Sequence, residues 1–178
     1  MSTPQSTSPS AEFAIASLPL GRGTLGICPL PGHIGTLANN LACIGLFAPG
    51  LVISLVQQAE MELLGAAELP QGLLRAAIPW AHFPIADFGI PEGIAAARWP
   101  DVARRAQAVL ARGGKVLVHC RAGRGRSGMV ALRLMVEIGE NPTAALERLR
   151  RARPGAVETE AQHLWALAGL DRPRESGA

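Results

Sequence analysis

The sequence predicts a single-domain α/β fold, with a central, mostly parallel sheet flanked by helices on both faces. Three observations point to it. Short apolar runs such as Leu51-Val52-Ile53-Ser54-Leu55 and Val116-Leu117-Val118 have the continuous character of strands buried on both sides. Segments with helical spacing alternate with these runs. At 178 residues, 48% of them hydrophobic, the chain suffices for one domain with a full core, and no repeat or linker divides it.

Residues 1–18, which open rich in Ser, Thr and Pro, read as a flexible tail. The glycine-spaced segment from Gly21 to Cys28 gives one or two short strands, ending at Pro29 and the Pro31-Gly32 turn. Thr36 caps a helix in which Leu37, Leu41 and Ile44 recur at helical spacing, closed by Gly45 or Gly50. A core strand follows over 51–55, and helical pieces are expected over 59–64 and 70–75. Residues 78–83 read as a strand whose Pro79 places it at an edge or an entry. The stretch P-I-A-D-F-G-I-P-E-G, 84–93, is a loop. A helix over 101–112 ends at Gly113-Gly114, which also launch the strand beginning at Lys115. After an apolar helix over 129–138, Asn141 caps another with Pro142 at its first position. Pro154-Gly155 breaks it, and Thr159 starts a last helix through 170. Residues 171–178 form a frayed tail, leaving 19–170 as the domain.

The net charge is +3 and the sequence pI about 9.2. Of 17 basic residues only Lys115 is a lysine, and many of the arginines lie between Arg121 and Arg153. That concentration suits an anionic substrate. Nucleic-acid surfaces more often interleave basic residues with aromatics, and this chain has no tyrosine, so no nucleic acid is expected as a partner. Three cysteines, Cys28, Cys43 and Cys120, without a C-x-x-C pair, speak against a disulfide framework or a zinc knuckle. A reducing, cytoplasmic setting is the simpler inference. The apolar stretch 13–20 is too short to cross a membrane, so no integral membrane segment is expected. The four histidines show no ligand spacing, and neither a metal nor another cofactor is expected. Trp80, Trp99 and Trp165 read as core or rim packing, with Trp80 and Phe88 placed to shape the mouth of a cleft.

The stretch 115–130, K-V-L-V-H-C-R-A-G-R-G-R-S-G-M-V, carries the chemistry. A strand, a tight glycine turn and a helix N-terminus make an anion site, because amide N–H groups and the helix dipole point at one spot. Cys120 opens the turn and Arg126 closes it, with five residues between. The amides of Arg121, Ala122, Gly123, Arg124, Gly125 and Arg126 are suited to the oxygens of a phosphoryl group. Arg126 clamps two of them with its planar fork. A thiol is a useful nucleophile only as the thiolate, which a helix N-terminus and nearby cations favour. Ser127 stands where its hydroxyl donates to the Cys120 sulfur and helps it leave. His119 orients the loop backbone and helps depress the thiol pKa. The competing reading is a buried core cysteine beside a glycine turn, with His119 a satisfied strand-end histidine. Cys28 or Cys43 paired with Cys120 would shield the nucleophile from irreversible oxidation, although buried structural cysteines are the plainer reading.

H-C-R-A-G-R-G-R-S-G resembles the signature of cysteine-dependent protein tyrosine and dual-specificity phosphatases. S-L-V-Q-Q-A-E-M-E-L-L, F-P-I-A-D-F-G-I-P and R-P-G-A-V-E-T-E-A-Q resemble, in the same order, segments of the kinase-associated phosphatase (cyclin-dependent kinase inhibitor 3-like) branch and its compact bacterial relatives. The likeness covers about 23–167. It implies a dual-specificity-phosphatase-like fold with a shallow cleft and hydrolysis through a phosphocysteine. It also implies a general acid on a mobile loop, where Asp87 of P-I-A-D matches; an aspartate before that turn equally caps it, and Glu92 is the substitute acid. Gln162 matches a glutamine that positions the hydrolytic water in parts of the family, but Thr159-x-x-Gln162 is also a capping box. Arg121 and Arg124 resemble the phosphoinositide-phosphatase branch; the alternative is two solvated arginines that raise the local potential.

The expected partner is therefore a phosphorylated protein or a phospholipid headgroup, met by a monomer. Phosphotyrosine is the leading substrate, with phosphoserine and phosphothreonine behind it and a phosphoinositide as the rival. Two other classes stay open: a sulfurtransferase or arsenate reductase, which would work without Asp87, and a silent phosphoprotein-binding module.

Overall fold

The computed structural model describes residues 12–171. One sheet of five strands runs in the order β1-β2-β5-β3-β4, comprising β1 (Ala16–Leu20), β2 (Gly23–Cys28), β3 (Leu51–Ser54), β4 (Trp80–His82) and β5 (Lys115–His119). The hairpin of β1 and β2 is antiparallel, and every other pairing is parallel. Seven α-helices are described: α1 (Leu37–Phe47), α2 (Gln58–Leu63), α3 (Leu69–Arg75), α4 (Gly93–Ala111), α5 (Gly125–Glu137), α6 (Pro142–Ala152) and α7 (Glu160–Leu167). Among the described residues no helix is long and apolar enough to cross a membrane.

Successive strand residues face opposite sides of the sheet, and β2 shows what covers each. A Cβ on Gly23 would meet Leu110 of α4, while one on Gly26 would meet the Phe47 ring of α1. The sheet is thus sandwiched, as the continuous apolar strands predict. The first turn of α5 leaves the carboxyl end of β5, the central strand, and α5 is buried on all sides from Gly125 to Val136. Its one awkward residue, Arg133, is satisfied: Nε donates to Glu137 at 2.7 Å, Nη1 donates to the Trp165 carbonyl at 2.6 Å, and the guanidinium lies 4.9 Å from the Trp165 ring centre.

Four expectations need correction. The part of the expected tail before residue 12 lies outside the described residues, but Ala16–Leu20 is a strand, because Leu18 and Leu20 bury their side chains while the backbone pairs with β2. The first helix runs through Gly45 and stops at Ala48, which takes the left-handed conformation (φ 53°) and donates its N–H to Ile44 and Gly45. The last α-helix ends at Leu167 and continues as one 3-10 turn to Asp171, with the rest of the C-terminal tail outside the described residues. The helix expected from 101 begins at Gly93 instead and carries Pro100 in its interior.

That last case shows tertiary packing overriding a local signal. An interior proline costs about 3 kcal/mol, yet Trp99 beside it is almost fully buried, tilted against Phe83 and edge-on to Trp165. Its indole N–H donates to Glu137 at 2.8 Å, so the turn before Pro100 is pinned to α5.

Strand β4 forms one edge of the sheet and is shortened to three residues by Pro79 on its entry. The two carbonyls it turns away from β3, those of Trp80 and His82, accept hydrogen bonds from Arg105 and Arg98 of α4, each at 3.1 Å. The expected consequence of the aromatic cluster is a Trp99→Ala variant destabilised by about 3–5 kcal/mol, read as a lowered denaturant midpoint with an unchanged slope.

Candidate active site

Between β5 and α5 the chain makes the turn Cys120–Arg124, and the carbonyls of its residues 121–124 are all engaged from outside. Arg121 O accepts from Leu30 N at 3.1 Å. Ala122 O accepts from Arg153 Nη2 at 2.8 Å and Gly123 O from Arg153 Nε at 2.7 Å. Arg124 O accepts from Gly128 N at 2.7 Å and from Val157 N at 3.4 Å. None of the N–H groups from Arg121 to Arg126 finds an acceptor among the described residues. A peptide is planar with its C=O and N–H opposed, so drawing the carbonyls outward leaves the amides facing the enclosed side. Gly123 is required for this: it has φ +65°, and a Cβ there would stand 2.6 Å from the Cys28 carbonyl.

Cys120 is nearly buried, and its sulfur lies 3.2 Å from Ser127 Oγ on the first turn of α5. Arg126 is 1% exposed. Nη1 and Nη2 donate to the two oxygens of Glu60 at 2.7 and 2.8 Å, and Nη1 also donates to Ile85 O at 3.1 Å. Those bonds occupy three of the five guanidinium N–H groups. The edge formed by Nε and the second Nη2 hydrogen remains, the side on which Asp87 Oδ1 makes an ion pair at 2.9 Å. Asp87 is 41% exposed, its other oxygen lies 4.0 Å from Arg121 Nη1, and Oδ1 also accepts from Phe88 N at 3.2 Å. Thus the acid-loop aspartate, 33 positions upstream in sequence, does reach the loop while serving the local turn as well.

Outside comparisons agree with this geometry. Residues 84–170 match the family model described as protein-tyrosine phosphatase. Over 59 residues the chain is 39% identical to tyrosine-protein phosphatase CDC14 of Saccharomyces cerevisiae, a match spanning 33% of this chain and only 11% of that relative. The fold superimposes on kinase associated phosphatase carrying a serine in place of its catalytic cysteine, with a TM-score of 0.77 at 24% identity over 89% of this chain and 97% of the other. Tk-PTP in its active form gives 0.68 at 27% identity, over 89% and 98%. PTPMT1 in complex with PI(5)P gives 0.70 at 19% identity, over 87% and 94%. Together these likenesses support a member of the cysteine-dependent protein tyrosine and dual-specificity phosphatase superfamily.

Within this phosphatase-family frame, the remaining expected residues divide. Gln162 is fully buried and completes the capping box with Thr159: its N–H meets Thr159 Oγ1 at 3.1 Å, and its Oε1 accepts from Glu158 N and Thr159 N. Its Nε2 donates to Gly89 O at 3.4 Å, which ties α7 to the Asp87 loop. Glu92 stands at the N-cap of α4, and it is Asp87 that contacts Arg126. Arg121 is half exposed; Arg124 is the N-cap of α5.

His119 is the departure. Its ring is fully buried and bonds through Nε2 to Ser54 Oγ, which also accepts from Trp80 Nε1 at 2.7 Å. Nδ1 has no partner among the described residues, so within them the ring does not hold the loop backbone. Burial first, then the fields of His82 and Arg126, push its pKa down to about 3. A neutral imidazole supplies no positive charge to the sulfur.

Two residues escaped sequence reasoning. Glu60 lies in the first turn of a six-residue helix, 66 positions from Arg126; its segment S-L-V-Q-Q-A-E-M-E-L-L carries the family likeness, but nothing in it assigns this glutamate a partner. Arg153, at the C-cap of α6, opens the segment R-P-G-A-V-E-T-E-A-Q, which likewise assigns it no contact. Burial lowers the Arg153 pKa, as does Arg124, while Cys28 and Cys120 act to raise it. Burial also pushes the Cys28 thiol up, with Cys120 adding to it, so Cys28 stays protonated.

The Arg126 hydrogen bonds hold the Glu60 carboxyl below its ordinary value, against some desolvation. A depressed folded pKa adds stability above the unfolded value and loses it as pH falls through the folded one. Glu60→Gln is therefore expected to cost about 1–3 kcal/mol at neutral pH. The gap to wild type should begin to narrow as pH falls through about 4, where Glu60 is protonated in the unfolded chain, and close only below the depressed folded value; urea melts across pH measure it.

Proposed function

We propose that this chain is a protein phosphatase that hydrolyses phosphotyrosine, with phosphoserine and phosphothreonine as further substrates, through a phosphocysteine intermediate. The observation that carries the reading is the set of outward carbonyls at 121–124, which leaves the amides of the turn between Cys120 and Arg126 without acceptors among the described residues, while Asp87 meets the Nε/Nη2 edge of Arg126. A cup of such amides matches a dianionic tetrahedral group and strengthens as charge moves onto its oxygens.

In the first step the Cys120 thiolate attacks phosphorus in line as the P–O bond to the substrate breaks. The phosphoryl oxygens take the loop amides and the Arg126 edge, displacing the Asp87 carboxylate from its ion pair. Asp87, once displaced, takes up a proton from water and, as the acid, gives it to the departing oxygen. In the second step water attacks phosphorus, Asp87 takes a water proton, and the S–P bond breaks. Ser127 Oγ, 3.2 Å away, donates to the sulfur as negative charge returns to it. Product phosphate and thiolate complete the balance. Every group invoked lies in one chain, in keeping with a monomer. Cys28, Cys43 and Cys120 are all free thiols, in keeping with the reducing cytoplasmic setting.

A protein substrate is favoured by Phe88, an exposed aromatic beside Asp87 that offers a flat wall to a phenyl ring. A phosphoinositide is the second reading, carried by half-exposed Arg121 over the loop and by the likeness to PTPMT1 in complex with PI(5)P. Comparing phosphate release from phosphotyrosine peptides, phosphoserine/threonine peptides and phosphoinositide vesicles separates them.

With an aryl phosphate in the presence of chelator, the wild type should turn over and Cys120→Ser should not. Asp87→Asn is expected to lower kcat by about 10²–10⁴-fold and to flatten the alkaline limb of the pH–rate profile. Full activity of that variant would instead favour the sulfurtransferase or arsenate reductase class. Phosphopeptide binding without turnover by the wild type would favour a binding module.

A further inference from the structure

We propose that Arg153 is a positioning residue for the phosphatase chemistry, holding the Ala122 and Gly123 peptides with their carbonyls outward so that the following N–H groups are set to meet an oxyanion. The proposal rests on the phosphatase reading and deepens it.

The geometry is two-pronged. Arg153 Nε donates to Gly123 O at 2.7 Å and Nη2 to Ala122 O at 2.8 Å. Because each peptide is a rigid plane, fixing those two carbonyls also aims the N–H groups of Gly123 and Arg124. One planar fork therefore sets two neighbouring donors of the oxyanion cup together, which separate contacts would set less tightly.

Arg153 is itself over-determined. It lies outside the helical region at the C-cap of α6, with φ −135° and ψ 90°; its N–H donates to Leu149 O and its O accepts from Ala156 N. The next residues are bound by Arg150, whose Nε and Nη2 donate to Ala156 O and Val157 O. Val157 sits at φ +66°, an unusual place for a β-branched residue that persists only when its surroundings impose it. Gly128 is pressed against the same segment, since a Cβ there would stand 2.6 Å from Val157 N. The 153–157 segment is thus a rigid brace under the loop, with the guanidinium at its tip.

The surroundings of Arg153 leave the fork free for that task. Of the cations near the loop, Arg126 is matched by Glu60 and Asp87, and Arg121 lies 4.0 Å from Asp87. Arg153 makes no ion pair with an acidic side chain among the described residues, so no carboxylate competes with the two carbonyls for its donors.

The test uses the full chain in a Cys43→Ser background, because Cys43 is exposed and would react. Iodoacetamide alkylation of Cys120, followed by mass with and without inorganic phosphate, reads oxyanion affinity as protection without needing turnover. Arg153→Ala should weaken phosphate protection about tenfold. Arg153→Lys should not restore it, since an ammonium returns the charge but lacks the planar fork that holds two carbonyls. A folded Arg153→Ala or Arg153→Lys variant with wild-type protection overturns the proposal. If Arg153→Ala does not fold, Arg153→Lys decides: lost protection with a wild-type melt supports it, and wild-type protection overturns it. Hydrolysis of aryl phosphate by the unsubstituted protein judges the phosphatase reading separately.

Discussion

The arrangement around Cys120 depends on one constraint: consecutive peptide carbonyls are drawn outward by partners that come from three different parts of the fold. Backbone polar groups must be paired somewhere, and here only one half of each peptide is. Leu30, just past the end of β2, holds the first carbonyl, Arg153 the next two, and the first turn of α5 together with Val157 the fourth. The sheet fixes where the loop starts, α5 fixes where it ends, and the α6–α7 connection determines which way its peptides face. Packing of the apolar core is in that sense preparation for a polar event, since small shifts of either helix would release a carbonyl.

Arg126 shows how the fold divides one side chain between structure and chemistry. Its end-on edge and one further hydrogen are committed to Glu60 and Ile85, which hold a nearly inaccessible cation at a fixed orientation. Burial works against the charge, but the Glu60 hydrogen bond and the nearby Cys120, Glu60 and Asp87 charges outweigh it. What is left over is a single edge facing the loop. Asp87 makes its ion pair on that edge, the same edge that the proposed reaction gives to a phosphoryl group.

Much of this was legible in the residues. The alternation of apolar runs and helical spacings gave the sandwich; Asn141 and Thr159 announced their caps; and Cys120, Gly123, Arg126 and Ser127, which the fold gathers at one turn, stand in one short string. Asp87 needed the family resemblance, because its loop reads equally as a turn. The rest was hidden for reasons of distance and context. Glu60 and Arg126 meet only through folding, and a glutamate on a short exposed-looking helix resembles any other. The first turns of α4 were masked by Pro100, whose local penalty is outweighed by the burial of Trp99. His119, adjacent to the nucleophile, invited a role that its buried bond to Ser54 denies it.

The guarding of β4 has a consequence for how this molecule meets others. In a parallel ladder alternate residues turn both polar groups outward, and on β4 the outward acceptors are already taken by Arg98 and Arg105. An extended peptide, or a second copy, that tried to lengthen the sheet there would find donors without the complementary acceptors and two bulky cations across its path. Contact with any other chain is thereby steered away from strand addition at this edge and toward surfaces where side chains rather than backbone must do the selecting.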